Sequence, residues 1–273
     1  MKTDSQSHAN QSSATTNALR PLRIAALNKS GNVGKTTLVS CMMAPRMTDL
    51  VKVAYVDLTN AIPDEIPAPI GAVYGAHEFG EVENELLDAK RKNKSMIIDF
   101  GASDYNTTLE MFSQYALFKN AIDLFVLPCL PADKVQKDTI SVIEDLLDFG
   151  IPITKIRVLF NSVPMRDKKN LRRTFSDIFE FQAEKLEKLG KTFVANDDLV
   201  MFEAEIFKRL GQFKPTMALA TILADQTDYD EAIVKSNDED EKFLFSRIQS
   251  VRALALNTEN TLSKVFNVLV AGV

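Results

Sequence analysis

Cysteine and histidine are scarce in this chain: of 273 residues, two are cysteines and two are histidines. Cys41 and Cys129 both lie in apolar segments. That suits buried thiols in a reducing cytosol and argues against a disulfide framework. They form no metal constellation with His8 and His77, so neither a zinc site nor a cysteine-held iron–sulfur cluster is expected. Net basicity is also lacking. The formal charge is −5, so any contact with nucleic acid must come from a local patch. No apolar run approaches the length of a membrane span, and there is no internal repeat. Residues 1–20 are polar, rich in Ser, Thr, Asn and Gln, and lack the apolar core of a signal peptide. They read as a disordered lead-in, and the expected location is cytoplasmic.

What is present is an ordinary globular composition, 45% hydrophobic and 25% charged. Residues 21–273 read as one domain with a helical C-terminal part. Short apolar runs at 22–28, 51–58, 95–101, 121–131 and 155–164 read as buried strands, and 191–195 as a sixth. Helical patterns fall between them at 35–44, 81–93, 133–150 and 166–189. Residues 60–71 hold three prolines and read as a loop. Strands alternating with helices predict an α/β fold with a mostly parallel sheet. The strands are apolar throughout, as expected when helices cover both faces. In such sheets ligands bind at the carboxyl ends of the strands.

The stretch "LNKSGNVGKTTLV" (27–39) follows the first strand. A phosphate-binding loop needs small residues so that backbone N–H groups can wrap phosphate oxygens. It also needs a lysine for the β and γ phosphates and a hydroxyl for Mg²⁺. Gly31 and Gly34 supply the first, Lys35 the second and Thr36 the third, with Lys29, Ser30, Asn32, Val33 and Thr37 completing the loop. Lys29 stands where the general pattern has its first glycine. Asp99 closes the strand "MIID", the setting of an acid that holds a Mg²⁺-bound water opposite the loop threonine. Asp57 ends the second strand, where it can orient water or metal, or simply start a loop. Asn161 ends the fifth, where its amide can read a base edge or make a turn.

These residues, in this order, resemble the ParA/MinD family of P-loop ATPases. "IAALNKSGNVGKTTL", "VAYVDLTN", "MIIDFGAS", "LFVLPCLPADK" and "RVLFNSVP" match its strands and loops from about Leu22 to Asn161. "SGNVGKTT" with "APRM", and "ADQTDYDEA" (224–232), most resemble StbB-type plasmid-stability proteins. The resemblance implies a three-layer α/β/α fold, ATP and Mg²⁺ as ligands, and a homodimer with nucleotide sandwiched at its interface. It also implies a role in positioning DNA for plasmid partition or stability, with a centromere-binding or adaptor protein as partner. On matching positions stand Lys35, Asp57 and Asp99 as catalytic residues, Thr36, Asp57 and Asp99 at the metal, and Asn161 at the adenine.

Three departures matter. The family's signature lysine, which reaches across the dimer to the partner's phosphate, falls on Ser30, with Lys29 one residue early. The second acid of the family's D-x-D is Thr59, so hydrolysis is expected to be weak, or to draw on Asp64 or Glu65. Position 32 is Asn rather than Gly and must take a negative φ or the left-handed conformation that Asn tolerates. A nucleotide-binding interaction protein with little turnover is therefore the alternative.

The run "RDKKNLRR" places Arg166, Lys168, Lys169, Arg172 and Arg173 just after the Asn161 strand. It reads either as a sequence-blind DNA contact or as a solvated helix face. The C-terminal segment 240–273 has apolar residues at helical spacing, expected to pack on the domain or on a partner subunit. A MinD-like membrane helix would want several basic residues on its polar face. The last 12 residues contain only Lys264, so membrane attachment is disfavoured. Phe175, Phe179, Phe181, Phe243 and Phe245 are expected at core or dimer contacts.

Overall fold

The computed structural model describes residues 20–57, 62, 66, 70–103, 105–186, 195–210 and 219–273. The expected lead-in, Thr59, Asp64, Glu65 and most of the proposed strand 191–195 lie outside these.

Among the described residues, seven strands form one sheet: β1 (Arg23–Ala26), β2 (Leu50–Val56), β3 (Gly71–Tyr74), β4 (Ser95–Phe100), β5 (Leu124–Cys129), β6 (Ile156–Val163) and β7 (Ala195–Phe202). Their order is β3-β2-β4-β1-β5-β6-β7, and every neighbouring pair is parallel. The helices, in chain order, are α1 (Lys35–Leu38), α2 (Phe79–Arg91), α3 (Tyr105–Gln114), α4 (Ala116–Ala121), α5 (Asp133–Asp148), α6 (Leu171–Thr174), α7 (Ser176–Phe181), α8 (Glu205–Leu210), α9 (Leu219–Ala224), α10 (Tyr229–Lys235) and α11 (Glu239–Val270).

Strand side chains alternate between faces, and each face has its own core. Ala25, Ile98, Phe125 and Val158 point to one side, where α2 to α7 cover them. Ile24, Ile97, Val126 and Leu159 point to the other, beneath α1 and α8 to α11. This is the three-layer α/β/α arrangement, with β1 at its centre. Strands buried on both faces are apolar at most positions, which is why the central strands read as near-continuous apolar runs.

The differences from expectation lie at the edges. β3 was not anticipated. It has four residues beside a proline-rich segment, too few to show a period. Of the sixth expected strand, 191–195, only Ala195 is among the described residues; it opens β7, which runs on through "NDDLVMF". Asp197 and Asp198 are exposed on this edge strand, and such charges discourage further pairing while hiding the strand from a hydrophobicity reading. The expected helix over 166–189 is broken. A three-ten turn at Met165–Asn170, α6, α7 and a π turn at Gln182–Leu186 take its place. Phe175 interrupts α6 and α7 with φ −116° and ψ 41°, and its ring packs 4.2 Å from that of Phe160. The C-terminal pattern becomes one helix of 32 residues, α11. Asp238 caps it by accepting from Asp240 N and Glu241 N, and acids in its first turn suit the helix dipole.

Candidate functional site

The glycine-containing loop leaves the carboxyl end of β1, between β4 and β5. Asn28 anchors it. This fully buried side chain donates through Nδ2 to Pro128 O at 2.8 Å and Thr139 Oγ1 at 2.9 Å. Its Oδ1 accepts from Ser30 N at 3.0 Å. Asn32 takes the left-handed alternative, φ 54°. Gly34 is also left-handed, φ 88°, and a Cβ there would collide with the Asn161 amide, so glycine is required twice over. No side chain caps α1 at Gly34, which leaves the first N–H groups of the helix open toward the cleft.

Lys35 is only 8% exposed. Its Nζ reaches back to Ser30 O at 3.3 Å. Burial lowers its pKa, against the raising effect of the Asp99 and Asp57 carboxylates. Thr36 Oγ1 donates to Asp99 Oδ2 at 2.6 Å. Asp99 is fully buried, and its Oδ1 has no hydrogen-bond partner among the described residues. Burial pushes its carboxyl up to about 6, with the Thr36 hydroxyl and the Lys35 ammonium pulling down and Asp57 pushing up. Asp57 directly follows β2 and accepts from Ser103 Oγ at 2.6 Å. A Cβ at Gly101 would strike the Asp57 carboxylate, so this glycine lets the loop after β4 close on the end of β2.

A cleft of ≈ 480 Å³ lies over these groups, walled by Gly31 to Thr37 on one side and by Asp57 and Gly101 to Ser103 on the other. One buried lysine, one hydroxyl and two buried carboxylates thus converge where a parallel sheet presents its strand ends. The strand, the loop with Lys35 and Thr36, the helix, and an acid on the adjacent parallel strand decide the architecture. The fold is a three-layer α/β/α one that carries a P-loop-type site at the carboxyl edge of its sheet.

Neither a family model nor a curated protein sequence matches the chain. Three of the similar solved structures illustrate the range. An ATP complex of a McdA variant from Cyanothece is 12% identical, with a TM-score of 0.43, covering 87% of this chain and 97% of that one. The pnob8 ParA structure is 13% identical, with a TM-score of 0.44, covering 88% and 99%. The MinC:MinD cell division complex of Aquifex aeolicus is 15% identical, with a TM-score of 0.42, covering 88% and 96%. The reading of the P-loop site rests on its own geometry.

That geometry brings Gly31, Asn32, Val33, Gly34, Lys35, Thr36, Thr37, Asp57 and Asp99 together. Asn161 joins them differently from expectation. β6 runs on to Val163, and the Asn161 amide nitrogen donates to Val33 O at 2.8 Å, so the side chain braces the P-loop itself. Lys29 and Ser30 turn away from the cleft. Lys29 Nζ donates to Ser141 Oγ on α5 at 3.0 Å, and Ser30 Oγ donates to Asp138 Oδ2 at 2.6 Å. The hydroxyl of Thr36 and the unpartnered oxygen of Asp99 are hard oxygen donors of the kind Mg²⁺ prefers. Among the described residues no group of three or more His, Cys, Asp or Glu is placed to hold a metal. A cation here would therefore need phosphate and water oxygens as well.

Sequence reasoning missed Asn28, Gly101 and Ser103. Gly101 follows Asp99 by two positions, which was an available signal. Asn28 had none, since its partners lie 100 and 111 positions away.

The basic run lies on the three-ten turn and α6, beyond the carboxyl end of β6. Arg166, Lys168, Lys169, Arg172 and Arg173 are all exposed. Arg172 grips Asp197 Oδ2 with Nε at 3.0 Å and Nη2 at 2.7 Å, and lies 4.8 Å from the Phe179 ring. Lys168 sits 5.9 Å from the Phe202 ring. Phe175 and Phe181 are core residues and Phe245 packs on Tyr229, whereas Phe243 is 66% exposed. Among the described residues, no helix is long and apolar enough to cross a membrane.

Proposed function

We propose that this chain is a Mg-ATP-dependent ATPase of the ParA/MinD kind that dimerises around nucleotide and positions DNA in plasmid stability or partition. The observation that carries the reading is the contact of Thr36 Oγ1 with Asp99 Oδ2, beside buried Lys35, at the floor of an open cleft. In this reading Lys35 leaves Ser30 O for the β and γ phosphates, and the backbone N–H groups of Gly31 to Thr37 wrap the phosphate oxygens. Thr36 would hold Mg²⁺ directly and Asp99 through water. Mg²⁺ held there would supply neutralisation of the phosphate charge. Asp57, steadied by Ser103, orients water at the mouth of the cleft. Asn161 keeps the Val33 carbonyl in place.

The exposed cations of 166–173 supply a sequence-blind contact to DNA phosphates, and a centromere-binding or adaptor protein is the expected regulator. The narrower StbB-type likeness rests on short stretches. One of them, "ADQTDYDEA", runs from the end of α9 into α10, and in the turn between them Asp225 accepts from Thr227 N and Arg252 donates to Thr227 O.

A second reading is a nucleotide-binding interaction protein with little turnover. Thr59 in place of an acid and the docking of Lys29 on α5 favour it. Steady-state ATPase measurements with and without duplex DNA, on wild type and Lys35→Ala, test the first reading. A wild-type chain that binds no nucleotide would sink both. Binding without turnover, with turnover gained in Thr59→Asp, would select the second.

A further inference from the structure

The first half of the phosphate loop is fastened to α5 at consecutive residues. Lys29 Nζ donates to Ser141 Oγ at 3.0 Å, stands 4.0 Å from Asp145 Oδ2 and lies 5.4 Å from the centre of the Tyr105 ring. Tyr105 Oη donates to the same Asp145 oxygen at 2.9 Å. Ser30 Oγ is held by Asp138 at 2.6 Å. Asp138, Ser141 and Asp145 are spaced three and then four apart, so they form one stripe on α5. That stripe meets two different segments. Lys29 and Ser30 belong to the loop after β1. Tyr105 opens α3, just beyond the segment 101–103 that forms the opposite wall of the cleft.

We propose that Lys29 acts within its own subunit as a positioning residue, fixing both walls of the nucleotide cleft on α5 together with Asp145 and Tyr105. It does not act as a phosphate contact delivered to a partner subunit. The proposal rests on the nucleotide-binding reading above and goes beyond it. Its ground is the absence of slack. Asn28, immediately before Lys29, is buried on Pro128 and Thr139, and Ser30, immediately after, is bonded to Asp138. The ammonium already has a hydroxyl, a carboxylate and an aromatic face as partners. To extend across an interface it would have to leave all three at once and strand Asp145 beside the Tyr105 phenol without its cation. Ser30 also lends its carbonyl to Lys35, so a shift in this anchor is transmitted directly to the lysine that faces the phosphates.

The test is titration of the purified full chain with a fluorescent ATP analogue and Mg²⁺. The proteins are wild type, Lys29→Met, Asp145→Asn, the double variant, Tyr105→Phe, and the charge exchange Lys29→Asp with Asp145→Lys. Circular dichroism checks that each one folds. A partly exposed ion pair and a cation–π contact are each modest, so each of the first two single changes should weaken binding about threefold to tenfold. The double variant should be no worse than the weaker single, and the charge exchange should recover most of the loss. The losses should be equal at protein concentrations where sedimentation shows monomer and where it shows dimer. Tyr105→Phe removes one oxygen and should cost about twofold, so it carries the test if Asp145→Asn does not fold.

Full affinity in Asp145→Asn alongside a loss in Lys29→Met overturns the proposal. So does a Lys29→Met loss confined to dimer concentrations. A wild-type chain that binds no analogue sinks the nucleotide reading and this inference with it. A wild-type chain that binds, with Lys29 and Asp145 uncoupled, sinks only this inference.

Discussion

The cleft over the phosphate loop and the turn after β6 both concentrate charge, and they hold it in opposite ways. In the cleft, Lys35, Asp57 and Asp99 are 8%, 3% and 0% exposed. Each is costly to bury and is tolerated only because the others, with Thr36 and Ser103, face it. On the turn, Arg166, Lys168, Lys169, Arg172 and Arg173 all stand in solvent, where each ion pair is worth little and salt screens it. Buried charges depend on one another, so loss of one disables the set. Exposed charges contribute nearly independently, so loss of one is felt as a fraction of the whole.

The largest effect that can test this contrast comes from Lys35→Ala. It removes a charge-assisted phosphate contact and leaves two buried carboxylates without their cation. Affinity for an ATP analogue should fall about 100-fold or more, and a fall of only severalfold would break the comparison on the buried side.

Next comes Asn28→Ala, which deletes the side chain joining the loop to β5 and α5. Leaving the Ser30 N–H and its other partners unmatched should cost about 1–3 kcal/mol of stability, read from chemical denaturation.

Asp99→Asn should move stability the other way in nucleotide-free, Mg²⁺-free protein. Because burial raises the Asp99 carboxyl to about 6, above its unfolded value, its favourable contribution is complete below the unfolded pKa. That contribution is lost as pH rises through the folded one. Wild-type stability should therefore carry a loss between roughly pH 4 and pH 6 that Asp99→Asn lacks, worth on the order of 1–3 kcal/mol at pH 7. Thermal melts across that range check it, with Mg-dependent nucleotide binding lost in the same variant.

The smallest effects belong to the turn. Arg166→Ala, Lys169→Ala and Arg173→Ala should each weaken duplex DNA binding by a few-fold, independently of sequence. Each should also reduce the slope of log affinity against log salt by about one. Abolition of binding by any single one would mean that the turn behaves like the cleft after all.

The same contrast explains what could be read from the sequence. The central strands β1, β2, β4, β5 and β6 were visible because burial on both faces leaves a near-continuous apolar signature. The second half of the loop was visible because phosphate chemistry demands particular residue types in succession. The edge strands β3 and β7 were not. One is too short to show a period, and the other carries Asp197 and Asp198 toward solvent. The break in the expected helix at 166–189 depends on Phe175 meeting Phe160, a tertiary contact that no local pattern announces. The destination of Lys29 was hidden for the same reason. Its partners on α5 look in sequence like an ordinary solvated helix face, and they become an anchor only once β1 and β5 lie side by side.

Ser162 lies between Asn161 and Val163, inside β6, with φ 51°. A non-glycine residue in that region stores about 1 kcal/mol or more of backbone strain, and the pairing of β6 with β7 shifts register there. The left-handed residue and the register shift thus fall together at the point where the strand must face two ways. Before it, Asn161 is aimed at the Val33 carbonyl. After it, Pro164 hands the chain to the basic turn. A glycine at 162 would relieve the strain and unlock the aim, so the discomfort of this serine acts as a fixed elbow between the cleft with its buried charges and the turn with its exposed ones.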